Sequence, residues 1–216
     1  MRLFRAVALA STFAAAAAVG VAAQPVVGVR LGVGMSKPST EATGFESLDK
    51  SWLTAFIGGG FIRFGAGNIA LQPELMYVTR GVKFDDEATD SELSTSVDYL
   101  EIPVLLFLGL GTGAATPYIV VGPAFNFEVK CLVDDDTGSD DDVDCDDSGD
   151  VLADRKKFDV GPMFGAGLAF PAGPGSFILD GRYYLGLVNI IDDESEASFK
   201  HRTLSFTAGY QIQLVR

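Results

Sequence analysis

Ten aspartates crowd into seventeen residues of this 216-residue chain: Asp134, Asp135, Asp136, Asp140, Asp141, Asp142, Asp144, Asp146, Asp147 and Asp150. Clustered carboxylates can hold a hard cation, and calcium takes about six to eight oxygen ligands. Asp134, Asp136, Asp140, Asp142 and Asp144 are the candidate ligands. Their spacing does not follow the D-x-D-x-D-G order of an EF-hand loop that closes on a glutamate. Like charges at this density repel one another and mark a solvated segment. Weak Ca2+ binding is the metal chemistry left to it, and no dedicated cofactor is expected. A second pairing to weigh is that of His201, the single histidine, with Ser198 and Ser205, near Glu194 and Glu196. A base beside a hydroxyl is the start of nucleophilic catalysis. One histidine near a serine is common by chance, however, so no catalytic residue is assigned and no enzyme is expected. No glycine loop of the kind that cradles phosphate is present, and neither is a Cys/His metal spacing.

The charge balance narrows the partners. Sixteen Lys and Arg face 29 Asp and Glu, a formal net charge of −13. Nucleic acid is excluded as a partner, because phosphate binding needs a basic footprint. The first residues read as an export signal over 1–23. Arg2 and Arg5 form a charged start, Ala6 to Val21 is an apolar, alanine-rich run, and Val21-Ala22-Ala23 has the small-residue pattern of a cleavage site. No other stretch approaches the roughly twenty apolar residues of a membrane helix. Export implies an oxidising compartment, in which the only two cysteines, Cys131 and Cys145, are expected to pair. Closing that loop is worth about 3 kcal/mol of lost chain entropy in the unfolded state.

The elements that must position these groups are strands. Thr203 to Leu214 alternates strictly, with Leu204, Phe206, Ala208, Tyr210, Ile212 and Leu214 opposed to Thr203, Ser205, Thr207, Gly209, Gln211 and Gln213. Twelve residues of period-two alternation make a strand well beyond the usual length. Similar segments run from Val27 to Ser36, Trp52 to Phe64, Ile69 to Arg80, Val97 to Leu108, Pro117 to Lys130, Phe158 to Phe170 and Ser176 to Ile190. The connections alternate long and short, with long ones at 37–51, 81–96, 131–157 and 191–201 and glycine-rich short ones between. In an antiparallel meander this gathers the long loops at one end and the short turns at the other. An even number of strands with that asymmetry is the pattern of an outer-membrane barrel. The fold expected is all-β: an eight-stranded antiparallel up-and-down transmembrane β-barrel over 24–216, with an acidic extracellular loop at 131–157.

Alternation alone does not separate a membrane barrel from a soluble one; the composition of the polar face does. That face carries glycines together with Arg30, Arg63, Glu74, Glu101, Asp159, Asp180 and Arg182. An eight-stranded barrel has an interior just wide enough for side chains to fill it, and buried charges must be paired. These seven residues are therefore expected to form an interior ion-pair network. Aromatic residues near strand ends, Trp52, Tyr77, Phe125, Phe127, Phe158, Phe170, Phe177 and Tyr210, suit interfacial girdles.

Gln72-Pro73-Glu74-Leu75-Met76-Tyr77 followed by Gly81, Tyr99-Leu100-Glu101-Ile102-Pro103-Val104, Pro117-Tyr118 with Gly122-Pro123, and Arg182-Tyr183-Tyr184 with Gly186-Leu187 occur in that order. With these motifs the mature chain resembles the outer-membrane β-barrel domain often labelled "porin family protein". The resemblance implies a small barrel in the bacterial outer membrane, embedded in its lipid, usually without a defined substrate. The last strand also resembles the C-terminal signal read by the barrel-assembly machinery. Thr207, Gly209, Ile212 and Leu214 match it, although Val215-Arg216 follow where that signal ends in an aromatic residue. The function expected is a structural or surface-interaction role for a monomeric barrel. The alternatives are a narrow cation-selective pore lined by Glu74, Glu101 and Asp159, or a soluble exported ligand-binding barrel.

Overall fold

In the computed structural model, the residues described are 25–41, 49–51, 53–86, 91–111, 113–135, 143–144, 156–188 and 198–214. Their strands are β1 (Val26–Glu41), β2 (Asp49–Ser51), β3 (Leu53–Ala66), β4 (Ile69–Asp86), β5 (Ser91–Gly109), β6 (Thr116–Asp135), β7 (Val143–Asp144), β8 (Phe158–Ala172), β9 (Gly175–Leu185) and β10 (Ser198–Gln213). Among these, eight long strands pair in the ring β1-β3-β4-β5-β6-β8-β9-β10, and β10 pairs back onto β1. Every pairing is antiparallel. Closure removes the sheet edges, whose unpaired N–H and C=O groups hydrocarbon could not satisfy. The short β2 and β7 extend the sheet at β4 and β6.

The short connections lie at one end. Gly67-Asn68 joins β3 to β4 and Gly173-Pro174 joins β8 to β9. Gly67 and Gly173 have φ of 63° and 60°, a left-handed conformation that costs glycine little and other residues more. At the same end, the Leu214 amide donates to the Pro25 carbonyl at 2.8 Å, tying the two described termini together.

Alternation sorts the side chains as the pleat requires. Val29, Leu31, Phe56, Leu75, Leu179 and Phe206 are exposed on the outer wall, whereas Arg30, Glu74, Glu101, Asp180 and Arg182 are buried inside. Aromatics gather at two latitudes of that wall. Phe177 packs on Tyr210 near the short turns, and Phe127 packs on Phe158 near the long connections. Twelve residue steps separate Phe158 from Phe170 in β8, or about 28 Å along the membrane normal at a tilt of ~45°. That matches the height of a bilayer's apolar core. Trp52 lies outside the described residues.

The strands differ from expectation at the long-connection end. Of the stretch 81–96, expected as a charged loop, residues 81–86 and 91–96 continue the β4–β5 ladder, ending at Asp86 opposite Ser91. Residues 37–41 and 198–202 continue the β1–β10 ladder to Glu41 opposite Ser198. Cys131 to Asp135, expected as part of the acidic loop, belong to β6, and Leu132 and Val133 pair with β7. A ladder is held by backbone hydrogen bonds, which persist above the membrane where neither face needs apolar side chains. In the other direction, β9 stops at Leu185 rather than continuing to Ile190. There the Gly186 amide donates to the His201 carbonyl, Leu187 to that of Val160, and Val188 to the Asp159 carboxylate. The last of these substitutes a side-chain acceptor for a ladder carbonyl.

Candidate functional site: the filled barrel interior

Inward-facing residues of β1, β4, β6, β9 and β10 meet in a charged layer near the short-turn end. The Arg182 guanidinium grips Glu74 through Nη1 to Oε2 at 2.7 Å and Nη2 to Oε1 at 3.1 Å, while its Nε donates to Asp180 Oδ1 at 2.8 Å. Arg30 Nη1 donates to the other Asp180 oxygen at 2.7 Å, and Arg30 Nη2 lies 3.7 Å from Glu74 Oε1. The Tyr118 hydroxyl at 2.8 Å and the Thr207 hydroxyl at 3.0 Å complete Asp180, and Gln72 Nε2 donates to Glu74 at 2.5 Å. Each carboxylate oxygen of Asp180 thus accepts two donors. Arginine's planar fork makes such shared chelation possible where a lysine would supply a single point charge.

Below that layer, Arg63 donates to Gln72 at 2.7 Å and to Gln211 at 3.1 Å, and its guanidinium lies 3.6 Å from the centre of the Phe107 ring. Arg30 in turn lies 4.5 Å from the Phe61 ring centre. Two glycines make room for these rings. A Cβ on Gly28 would stand 2.4 Å from Phe61, and one on Gly167 would stand 2.4 Å from the Tyr118 ring and 2.7 Å from Asp180 Cβ.

Toward the long connections lies a second charged layer. Arg80 pairs with Glu101 and donates to Asn126 at 2.7 Å, with the Tyr184 ring centre 4.4 Å from its guanidinium. Asp159 accepts from the Tyr184 hydroxyl at 2.8 Å and the Val188 amide at 3.2 Å. The Tyr99 hydroxyl sits 3.3 Å from His201 Nε2. An apolar cluster of Phe61, Leu105, Tyr118, Val120, Ala124, Met163, Ile178 and Tyr184 runs between the two layers.

The seven interior residues named from the sequence are all buried, and the structure divides them. Arg30, Glu74, Asp180 and Arg182 form one network. Glu101 pairs instead with Arg80, Arg63 donates to two glutamines, and Asp159 accepts from a hydroxyl and an amide. Arg80 was missed, although it shares its parity with Gln72, Glu74 and Met76 in the same strand. With Arg80 included, four arginines balance Glu74, Glu101, Asp159 and Asp180. The interior is also more apolar than a filling of glycines and ion pairs, because Leu105, Met163 and Ile178 occupy inward positions.

His201 and Ser205 are four residues apart on β10, roughly 13 Å along the strand, with Thr203 between them on the same face. The structure does not bring them together. Thr207 and Gly209 lie on the inner row, the latter opposite Arg30, and Ile212 and Leu214 are exposed at the short-turn end. Cys131 is buried beside Val97 and Tyr99; Cys145 lies outside the described residues, as do Asp136, Asp140 and Asp142. Asp134 and Asp144 are placed only as positions in β6 and β7. Among the described residues no three His, Cys, Asp or Glu converge as a metal site would require.

Residues 22–192 match the family described as outer membrane protein beta-barrel domain. None of the curated proteins matches the chain in sequence. Among solved structures, it resembles the outer membrane protein OprG from Pseudomonas aeruginosa at 14% identity and a TM-score of 0.52, over 91% of this chain and 99% of that one. Neisserial surface protein A is similar at 12% identity and a TM-score of 0.47, over 87% and 97% respectively. OprG shares the fold, and the family match extends over most of the length: the chain belongs to the outer membrane protein beta-barrel domain family.

Proposed function

We propose that the protein is a closed, non-catalytic scaffold that anchors its long connections at the bacterial surface and presents them for interaction. The observation that carries this reading is the filled interior. The side chains of Arg30, Glu74 and Asp180 have no accessible surface, and those of Arg80 and Glu101 almost none. A water-filled channel would leave the charges lining it wet. Among the described residues, two successive layers are filled by ion pairs and packed apolar side chains, which supports a barrel with a wall and a plug.

The same reading takes 1–23 as a cleaved export signal and 24–216 as the barrel domain, assembled as a monomer by the barrel-assembly machinery through Thr207, Gly209, Ile212 and Leu214. Cys131 and Cys145 form a disulfide at the base of an acidic surface loop that binds Ca2+ weakly, if the cation is abundant. Reconstitution into planar lipid bilayers tests the central claim. The expected result is no steady current at ±100 mV from protein whose fold is verified by the mobility difference between unheated and boiled samples on a gel. Reproducible cation-selective steps from such protein would instead support the narrow-pore reading.

A further inference from the structure

Pro73, Pro103, Pro123 and Pro162 stand in the interiors of β4, β5, β6 and β8. A proline has no N–H to give the ladder, so sheets confine it to edges and bulges. A closed barrel offers no edge, and the register shows no bulge at these positions. The β3–β4 ladder breaks between Phe61 opposite Glu74 and Phe64 opposite Leu71, around Pro73. The β4–β5 ladder breaks between Pro73 opposite Val104 and Met76 opposite Glu101, around Pro103. The β5–β6 ladder breaks between Pro103 opposite Ala124 and Leu106 opposite Val121, around Pro123. At each break two residues of one strand face two of the other, so the register is the same on both sides. What is lost is a hydrogen bond, not a residue. The β8–β9 ladder ends at Met163 opposite Tyr184, one step before Pro162 would face Leu185, and the Leu187 amide donates to the Val160 carbonyl beyond it.

These losses line up. Carried through the breaks, the register gives one cross-strand row of Ile62, Pro73, Val104, Pro123, Pro162 and Leu185, with Pro73 opposite Val104 and Pro123 opposite Pro162. Pro103 is one residue from that row, next to Val104. The carbonyls of Ile62, Glu74, Val104 and Leu185 stand opposite the four missing donors. Glycine meets two of them instead: a Cβ on Gly122 would overlap the Val104 carbonyl oxygen, and one on Gly161 that of Leu185. Cα–H groups at such close approach are weak substitutes for N–H. By contrast, the ladders of β1 with β10, β1 with β3 and β9 with β10 run without a break. One side of the wall is continuously paired, and the other is crossed by a line of half-made pairs.

We propose that this row is a compliant seam, along which the barrel wall opens locally while the side formed by β9, β10, β1 and β3 stays rigid. With one ladder bond already missing from each pair, less hydrogen bonding has to be broken to part the strands there than elsewhere in the wall. Hydrocarbon supplies no replacement partner, so a fully paired wall has no comparable weak line. The strands that cross the seam include β4, β5 and β6, the longest of the barrel. Compliance within them lets their long-connection ends shift relative to their short-turn ends. The seam depends neither on whether the interior conducts nor on what the long connections bind.

Amide hydrogen exchange of the folded barrel, followed residue by residue by NMR in lipid nanodiscs, tests this. The amides of Ile62, Glu74, Val104 and Leu185 are expected to exchange at least tenfold faster than those of Leu31, Val33, Phe206 and Ala208 in the unbroken β1–β10 ladder. Pro123 is exposed on the outer wall, so Pro123→Val restores a donor opposite Val104 without altering the interior. It should slow exchange at Val104 at least tenfold and leave Leu31 and Val33 unchanged. Uniform protection of the two sets in wild type, or a Pro123→Val barrel in which Val104 exchanges as before, overturns the proposal. So does slowing of equal size at Leu31 and Val33, which would mark a gain in overall stability rather than a local seam. Should Pro123→Val fail to fold, judged by the gel mobility difference, Pro162→Val read at Leu185 carries the comparison.

Discussion

Arg80 and Glu101 show what a single buried charge is worth in this barrel. Removing one partner leaves the other desolvated and alone, which costs about 3–5 kcal/mol, whereas replacing both with apolar residues of similar volume is often close to neutral. Arg80→Met is accordingly expected to lower the stability of the barrel by about 3–5 kcal/mol in urea titrations from lipid vesicles, and Arg80→Met/Glu101→Leu to recover most of the loss. An equal loss in the double variant would mean that packing, not charge, dominates this layer. Gly167 tests the opposite kind of constraint. A methyl there meets the Tyr118 ring and Asp180 Cβ below van der Waals distance, so Gly167→Ala is expected to cost about 1–3 kcal/mol by overpacking. Glu101 was legible as an inward residue from its parity, and so was Arg80, had the strand been followed to its last position. The partner each would choose was not legible, because parity assigns a face and says nothing of which strand lies across the interior.

At the scale of the element, the strands outrun the hydrophobic pattern that announces them. β4, β5 and β6 are 18, 19 and 20 residues long, about twice what a tilted strand needs to cross the bilayer. Alternation reports only the stretch with lipid on one side. Where both faces meet water the signal ends, although the backbone ladder continues, so 81–96 read as a loop from its composition. Cys131 sits at this boundary, within β6, and its expected partner Cys145 lies outside the described residues. If they are bonded, thiol labelling of unfolded, unreduced protein with a maleimide should find no reactive cysteine. Cys131→Ser/Cys145→Ser should then lose up to about 3 kcal/mol. Two labelled thiols would sink the pairing. The turns were better marked, since Gly67-Asn68 and Gly173-Pro174 interrupt the alternation where the chain reverses.

For the whole molecule, the balance of four arginines against four carboxylates inside the wall explains how so small a barrel can bury eight formal charges. Net charge is then left to the outside, where the acidic excess lies in the long connections. Opening the plug is expected to create the conductance that the wild type lacks. Arg30→Ala/Arg182→Ala removes the two largest side chains of the lower layer and strands Glu74 and Asp180. Planar bilayers should show small cation-selective currents for this variant against silence for the wild type. Silence from a variant that still shows the gel mobility difference would mean that the upper layer of Arg80, Glu101 and Asn126 is sufficient to seal the barrel.

By itself, the sequence determined the class of fold, the faces of its strands and the end at which the long connections gather. Period-two alternation, glycine turns and the alternation of loop lengths are local properties, readable along the chain. Only the tertiary structure decided that Arg182 bridges Glu74 and Asp180 and that Glu101 belongs to Arg80. Each of those contacts depends on register and closure around the barrel, which are set by all eight strands together.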